Sequence, residues 1–466
     1  MRRIYIGFLV SILVGIFFLQ YREIFTGFFY QDDWFLLKIS NPATHNLLDL
    51  FQPNREVIFY RPLGMQTPFY LGQIVFGLNY SLFQLSKTAV FLALCGVVYL
   101  VIHKITNSKR QAVMSAVLFS FSLAHYPIHY WLASFSFLFG ALIALCSFLF
   151  YLKFLKENKR SYWYLSFVLF LSGLFVNEVV FTLPLLFIAY QLFLFAGKKA
   201  LKSLAPLVIA ELIFLYLRFG FFAPPLSGEY ALRIGGHIFS NIKGYILWSF
   251  NWPEDLRTQF ISFWRINPQF VHDFSVYYYF FTISLIAFVL VLLAGMILLM
   301  LNKDRRTNLT CILFYAVWYL LSLSPVFLFK GHSFSYHMPL ATVGFCGLLA
   351  LLLVKPLQKL NNKLLQTLVP AAFLTVWVLT TNTGIEYNSL IHWEPRRAAI
   401  SKKLTDCISS LPANALYKDG VYIVLSSENY LALNGQDAVN VLLGSQVKTI
   451  YFHGVDLNCS GSNIQL

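Results

Sequence analysis

Long apolar stretches recur along the whole chain, each separated from the next by a short polar segment. A stretch of roughly 17–25 apolar residues is long enough to cross a bilayer as a helix. The pattern therefore predicts an α-helical polytopic membrane protein with about 11 transmembrane helices. The predicted spans lie near residues 4–20, 86–102, 111–125, 132–152, 161–176, 179–196, 204–220, 277–301, 309–327, 338–354 and 364–381.

Composition agrees with this fold class. The 466 residues are 58% hydrophobic and only 12% charged, with a mean hydropathy of +0.65. A soluble protein carries about 25% charged residues. These values exclude the two or three soluble domains that a chain of this length would otherwise predict.

Basic residues mark every second connection between the predicted spans. The positive-inside rule places such loops, and with them the N-terminus, in the cytoplasm. With an odd number of spans, the C-terminus lies outside, as do the long loops 21–85 and 221–276. The basic segments are 103–110, 153–160, 197–203, 302–306 and 355–363.

The same basic segments explain the net charge of +15. Together with Arg2 and Arg3 they hold 18 of the 35 Lys and Arg residues, against two acids, Glu157 and Asp304. A nucleic-acid-binding protein would instead gather its cations on one face of a folded domain. The charge therefore reflects membrane topology, and nucleic acid is excluded as a partner.

The last 85 residues or so differ in pattern from the rest of the chain. Residues 420–427 and 447–454 alternate as strands do, and the helix-like segment 429–444 between them is interrupted at Asn434-Gly435. This predicts a small α/β extracytoplasmic domain over 382–466, after a transmembrane domain over 1–381. Cys407 and Cys459 both lie in this tail and are candidates for a disulfide.

Unusual polar residues follow the spans on the predicted outer side. The segment "FFYQDDWFLL" places Asp32 and Asp33 side by side just after the first span. The remaining candidates lie in "FYRPLGM", "AHYPIHYW", "FVNEVVF" and "FLFKGHSFSYHMP", and all of them face the same side of the membrane. They are Arg61, His125, His129, Glu178, Lys330, His332, Tyr336 and His337.

This order of motifs resembles that of the GT-C superfamily of integral membrane glycosyltransferases. The shared features are an Asp-Asp pair after the first span, an Arg-Pro in the same loop, and a His-containing turn between spans three and four. An acidic turn before span six and a Tyr-x-x-Pro entering a late span complete the set. The layout is most similar to protein O-mannosyltransferases and their bacterial relatives, over roughly residues 1–345.

The resemblance implies an enzyme that moves a hexose or pentose from a polyprenyl-phosphate donor to a hydroxyl on a glycan, lipid or protein. Such a reaction needs a base, here Asp32 or Asp33, and cations for the phosphate leaving group. Arg61 and Lys330, with His332 or His337, are the candidate cations, and direct displacement would invert the anomeric configuration. The expected location is a bacterial plasma membrane, among lipids.

Each candidate also has a structural alternative. The two aspartates could cap a helix, and Arg61 could reach lipid headgroups. His125 and His129 could bind Mg²⁺ or Mn²⁺ if helical, although Pro127 between them favours a turn; the sequence requires no cofactor. A polytopic secondary transporter and an envelope-polymer export component are the two alternative functions.

Overall fold

The structure is a computed structural model that describes residues 2–53, 57–195, 198–222, 228–360, 362–409, 421–424, 426–444 and 448–452. It is a multi-pass bundle of helices, joined by short 3₁₀ and π segments, with two short strands near the end of the chain. The helices are α1 (Arg2–Gln20), α2 (Asp32–Ile39), α3 (Thr67–Phe76), α4 (Tyr80–Thr106), α5 (Lys109–Ser120), α6 (Tyr126–Tyr130), α7 (Phe135–Glu157), α8 (Arg160–Leu174), α9 (Leu183–Phe193), α10 (Ala205–Leu217), α11 (His237–Ser249), α12 (Pro268–Asp273), α13 (Ser275–Met300), α14 (Arg305–Phe327), α15 (Pro339–Leu357), α16 (Lys363–Ile391), α17 (Trp393–Ser409), α18 (Ser427–Leu433) and α19 (Asp437–Leu443).

The predicted class of polytopic helical membrane protein is confirmed. Within the described part of the chain, seven helices are each long and apolar enough to cross a membrane. An eighth span results if α5 and the segment Leu123–Tyr130, which are bent by 48° at their junction, are counted together. Helices also occupy the other predicted spans, but α8 and α9 are shorter, so the number eleven stays a prediction.

Large apolar side chains cover the outside of the bundle. Leu290 and Ile297 of α13, Leu320 of α14, and Leu368 and Leu379 of α16 are all exposed. A continuous apolar surface of this kind would be unfavourable in water, whereas hydrocarbon chains solvate it well. These faces are therefore the ones that contact lipid.

The basic loops come together at one end of the bundle. Lys104 forms an ion pair with Glu157 at 3.4 Å, and Lys359 forms one with Asp304 at 2.9 Å. Arg110 Nη1 donates to Gln366 Oε1 at 2.9 Å, which links a third pair of loops. The segments that the sequence placed in the cytoplasm thus share one end, as the positive-inside prediction requires.

Helix α15 lies at the centre of the bundle and is buried along almost its whole length. It packs against α5, α7, α13, α14 and α16. A Cβ at Gly295 of α13 would lie 2.3 Å from the carbonyl oxygen of Leu352 in α15, so only glycine permits this approach.

The tail contains the predicted alternation of strand and helix. Strands β1 (Val421–Val424) and β2 (Thr449–Phe452) pair in parallel, with Val421 opposite Thr449. Helices α18 and α19 lie between them, separated where Asn434 adopts a left-handed conformation (φ 51°). Cys407 is disulfide-bonded, and Cys459 lies outside the described residues.

The tail packs directly on the first outer loop. Lys38 of α2 pairs with Asp437 of α19 at 2.7 Å. Helix α16 continues through residue 381 to Ile391, so the chain passes into the tail as a rigid helix rather than a linker. The division into domains 1–381 and 382–466 stays a prediction.

The orientation can be tested by accessibility of introduced cysteines. Thr44→Cys and Ser427→Cys lie at exposed positions near the tail, and Ser161→Cys lies at the exposed start of α8 beside the basic loops. We expect the first two to react with an impermeant thiol reagent in intact cells and the third to react only after permeabilisation. Labelling in the opposite order would reverse the orientation.

Candidate active site

A cavity of about 340 Å³ opens at the end of the bundle opposite the basic loops. We call it the Asp32 cavity. Its walls come from the first outer loop, the turns after α6 and α8, the end of α10, and the segment between α14 and α15. Six of the ten predicted site residues line it: Asp32, Arg61, Glu178, His332, Tyr336 and His337.

The two adjacent aspartates have different surroundings. Both lie in the first turn of α2, where the helix dipole favours negative charge. Asp33 is fully buried, and its carboxylate accepts the Ala133 amide at 2.7 Å and the Tyr30 amide at 3.3 Å. Asp32 instead lines the cavity. Asp33 therefore supports the loop from inside, and Asp32 is the aspartate that stands at the cavity wall.

Helix α2 begins in a strained conformation that the tail holds in place. Gln31, directly before Asp32, has φ 51°, a region that non-glycine residues rarely occupy. Its amide donates to the Ala432 carbonyl at 3.0 Å, and its side-chain oxygen accepts Arg397 Nη1 at 2.7 Å. Contacts from the last eighty residues thus fix the backbone beside Asp32.

Burial alters the acidity of both carboxyls. It raises the pKa of Asp32 to about 6; the charge of Asp437 acts in the same direction, and that of Arg397 opposes it. Burial also raises the pKa of Asp33, although its two backbone hydrogen bonds and the charge of Lys87 work against this. Asp32 is therefore mainly ionised at neutral pH, as a general base must be.

Arg61, which is buried, and Glu178, which is partly exposed, are far apart in sequence and form an ion pair through Arg61 Nε. The segments that carry the two residues approach closely only because residue 64 is glycine. A Cβ there would lie 2.1 Å from the Val176 carbonyl oxygen. Arg61 also lies over the rings of Phe59 and Phe137, at 4.1 and 4.9 Å from their centroids. The guanidinium is thus held rigidly at the cavity wall.

Arg218 is a second cavity cation, which is absent from the predicted set of site residues. It is 2% exposed, and its Nη2 donates to the Ile58 carbonyl at 2.6 Å. Its Nη1 is buried and has no hydrogen-bond partner among the residues that the structure describes. Arginine is common at the ends of spans, so the sequence does not single out Arg218. Its place in the cavity wall follows from its contact with Ile58, in the same loop as Arg61.

The segment between α14 and α15 adds neutral polar groups. Tyr336 Oη bonds with His332 Nε2 at 2.6 Å, and His337 Nδ1 lies 3.2 Å from Tyr245 Oη. Burial lowers the pKa of His332 to about 4, and the charge of Arg61 acts in the same direction. Burial also lowers the pKa of His337 well below its usual range. Both imidazoles are therefore neutral, and the cavity's positive charge comes from its arginines.

Two residues absent from the predicted set hold this segment in place. Glu254 Oε2 accepts the Ser335 amide at 2.7 Å, and Arg257 Nη1 donates to the Ser333 carbonyl at 3.0 Å. Both come from the loop 221–276, where their charges stand among aromatic residues. That contrast is the only sequence signal that could have identified them.

The remaining candidates do not line the cavity. His125 and His129 are buried among aromatic rings at the α5–α6 bend, with their own ring centroids 6.5 Å apart. Lys330 is exposed to solvent. Among the described residues, no group of three or more His, Cys, Asp or Glu side chains is arranged to hold a metal ion.

The fold is similar to that of ArnT from Cupriavidus metallidurans. The TM-score is 0.55 to the crystal structure bound to undecaprenyl phosphate and 0.56 to the apo crystal structure. Each comparison covers 96% of this chain and 89% of ArnT, at 12% sequence identity. No protein-family model and no curated protein matches the sequence. At such low identity the likeness concerns the fold alone, which this chain shares with ArnT.

The separate roles of the two aspartates predict different effects on stability. Asp33→Asn would turn an amide NH₂ towards a backbone N–H, and we expect it to lower the free energy of unfolding by roughly 1–3 kcal/mol. Asp32→Asn, the matched control, removes a charge that burial disfavours and should not lower it. Thermal unfolding of both variants in one detergent measures the difference. Equal stability would contradict the assignment.

Proposed function

We propose that this protein is a membrane glycosyltransferase that moves a sugar from a polyprenyl-phosphate donor to a hydroxyl acceptor on the outer side of the membrane. The observation that carries the proposal is the Asp32 cavity, whose wall holds the Asp32 carboxylate together with the Arg61–Glu178 ion pair and the guanidinium of Arg218. A proton acceptor and a phosphate-binding pair are the two requirements of this transfer.

Arg61 and Arg218 are the proposed ligands of the donor phosphate. Guanidinium groups match phosphate oxygens with paired N–H donors, and within the described part of the chain no group accepts a hydrogen bond from Arg218 Nη1. Glu178 offsets part of the positive charge when no phosphate is bound. Neutral His332 and Tyr336 can add hydrogen bonds without adding charge.

The rim of the cavity suits a lipid-linked donor. Phe219 and Leu232 line the cavity and are 55% and 50% exposed, so an apolar surface leads from the lipid-facing side to the arginines. ArnT, which shares the fold, has been crystallised with undecaprenyl phosphate. A polyprenyl chain could therefore remain in the bilayer while its phosphosugar enters the cavity.

In the proposed reaction, Asp32 accepts the proton of the acceptor hydroxyl as the hydroxyl oxygen attacks the anomeric carbon. The bond from that carbon to the phosphate oxygen breaks, and the phosphate leaves with the electron pair. The two arginines stabilise the charge that develops on it. A single displacement of this kind inverts the anomeric configuration.

A secondary transporter, the main alternative from the sequence, fits this arrangement less well. Transporters usually place their polar binding groups near the middle of the membrane, on broken spans. Here the cavity residues Asp32, Arg61, Glu178 and Tyr336 lie in loops and helix termini at one end of the bundle. The proposed location is a bacterial plasma membrane, with the N-terminus in the cytoplasm.

Removing the proposed base tests the function directly. We expect Asp32→Asn to lower sugar transfer by roughly 10²–10⁴-fold, because the amide cannot accept the proton. The assay follows labelled sugar from polyprenyl-phosphate hexoses and pentoses into envelope acceptors, with enzyme in nanodiscs. Asp49→Asn, in the same loop but away from the cavity, should transfer at the wild-type rate. Wild-type activity in Asp32→Asn would reject the catalytic role.

The raised pKa of Asp32 predicts an acidic limb in the pH–rate profile. Since the base must be ionised, activity should fall as the pH drops through about 6. Asp437→Asn removes a negative charge that raises the pKa of Asp32. The acidic limb in the pH–rate profile of this variant should therefore move to lower pH. Asp437→Glu, which keeps the charge, should leave the limb near the wild-type position. An unchanged limb in Asp437→Asn would show that another group titrates.

A further inference from the structure

Exposed apolar and aromatic side chains gather in the loop 221–276. Ile234 is 92% exposed and Trp264 is 80% exposed. The other large apolar residues exposed in this loop are Leu232, Phe239, Ile246, Ile261 and Phe263. An apolar patch of this extent is unfavourable in water and marks a surface that contacts something else.

Helix α11 carries part of this patch alongside the end of α14. Asn241 Nδ2 donates to the carbonyl of Phe327, the last residue of α14, at 3.0 Å, and Ser249 Oγ lies 2.9 Å from Tyr319 Oη. Asn241 and Ser249 are eight residues apart in α11, and Tyr319 and Phe327 are eight residues apart in α14. The two helices therefore run antiparallel. At 1.5 Å per residue, α11 extends about 12 Å from the end of α14 towards the middle of the membrane.

The turn that follows α11 lies among the membrane helices. Phe250 packs on Phe345 of α15, with ring centroids 5.0 Å apart, and Asn251 Nδ2 donates to Thr381 Oγ1 of α16 at 2.9 Å. Irregular backbone is tolerated at membrane depth only where the protein buries it and satisfies its polar groups. The chain then returns to the Asp32 cavity end of the bundle, where Glu254 binds the segment between α14 and α15. Helix α11 and this turn thus form a re-entrant element.

A short hairpin, residues 260–266, packs on the exposed face of α11, and we call it the aromatic hairpin. Its two ends pair as an antiparallel bridge. Lys243 of α11 holds the hairpin, because its Nζ donates to the Phe263 carbonyl at 2.7 Å and lies 4.7 Å from the centroid of the Phe263 ring. Phe239 and Ile246 lie four residues before and three residues after Lys243, so they share its face of the helix. The hairpin and α11 therefore present one continuous apolar surface.

The position and the charge of this surface both indicate lipid as its partner. Because α11 lies against α14, whose outward face contacts lipid, the surface continues the lipid-facing side of the bundle. Arg233 and Arg265 are exposed beside its apolar residues, and neither forms an ion pair within the described part of the chain. Guanidinium groups suit lipid phosphates, and tryptophan is enriched where headgroups meet hydrocarbon.

We infer that α11 and the aromatic hairpin insert into the leaflet on the side of the Asp32 cavity. Trp264 lies at the boundary between headgroups and hydrocarbon, Arg233 and Arg265 bind lipid phosphates, and anionic lipids are preferred to neutral ones. Leu232, which precedes Arg233, lines the Asp32 cavity, so insertion holds that part of the cavity rim at headgroup depth. The inference does not depend on the proposed transferase function.

Spin labels on single introduced cysteines measure the depth of each position in nanodiscs. The full-length protein is used, with the four free cysteines of its described part changed to alanine, and this background must take up no label. Oxygen concentrates in lipid and a neutral nickel chelate in water, so the ratio of the label's accessibility to oxygen and to nickel rises with depth. We expect Ile246→Cys and Trp264→Cys to favour oxygen, Ile246→Cys more strongly because α11 carries it deeper.

Two reference variants calibrate the measurement. Leu320→Cys, on the exposed face of α14, gives the ratio for lipid, and Ser427→Cys, exposed at the start of α18, gives the ratio for water. The ratio at Ile246→Cys should approach that at Leu320→Cys, and the ratio at Trp264→Cys should lie between the two references. A ratio equal to that of Ser427→Cys at either test position would overturn the insertion. Shielding from both reagents, as a protein partner or a second copy would cause, would overturn it too.

The preference for anionic lipid is tested with the Trp264→Cys label in two kinds of nanodisc. One kind contains phosphatidylcholine alone, and the other contains equal parts of phosphatidylcholine and phosphatidylglycerol. We expect the label to lie deeper in the mixed discs, because the negative surface attracts the two arginines. Arg233→Gln with Arg265→Gln should abolish the difference, whereas Lys403→Gln, at an exposed position of α17, should preserve it. Equal depth in both discs, or a difference that survives loss of both arginines, would reject their role.

Discussion

The hydrogen bond from the Ala133 amide to the Asp33 carboxylate is the contact on which the geometry of the site depends. It ties α2, which carries Asp32, to the turn between α6 and α7. Lys87 of α4 fixes that turn by donating to the Trp131 carbonyl at 2.5 Å and to Ser134 Oγ at 3.3 Å. Leaving buried hydrogen-bonding groups without partners is strongly unfavourable, so these groups must stay together. These hydrogen bonds fix the position of Asp32 in the cavity wall.

Much of the architecture could be predicted because a bilayer imposes simple rules on sequence. Span length and loop charge indicated a multi-pass bundle, and the alternation in 420–454 matches the strands and helices of the tail. The same rules predicted, before any contact was known, that Asp32, Arg61 and Glu178 lie on the same side of the membrane. Each follows or precedes a span on the same side, and the ends of neighbouring spans must meet.

Local rules could not distinguish residues whose roles depend on long-range contacts. Neighbours on a helix point about 100° apart, so the assignment of Asp32 to the cavity and Asp33 to the interior depends on where Ala133 lies. Likewise, the bend between α5 and α6 turns His125 towards aromatic neighbours rather than towards the cavity.

The strained Gln31 has a consequence for how the protein is made. Its side-chain partner, Arg397, follows 366 residues later in the chain. At roughly 5–20 residues per second, translation separates the two by roughly 20–70 seconds. Throughout that interval, Gln31 lacks the Arg397 contact that holds it at the start of α2. The loop that carries Asp32 is thus among the first segments to be synthesised and among the last to reach its final conformation, so a ribosome-bound chain carries no completed Asp32 cavity.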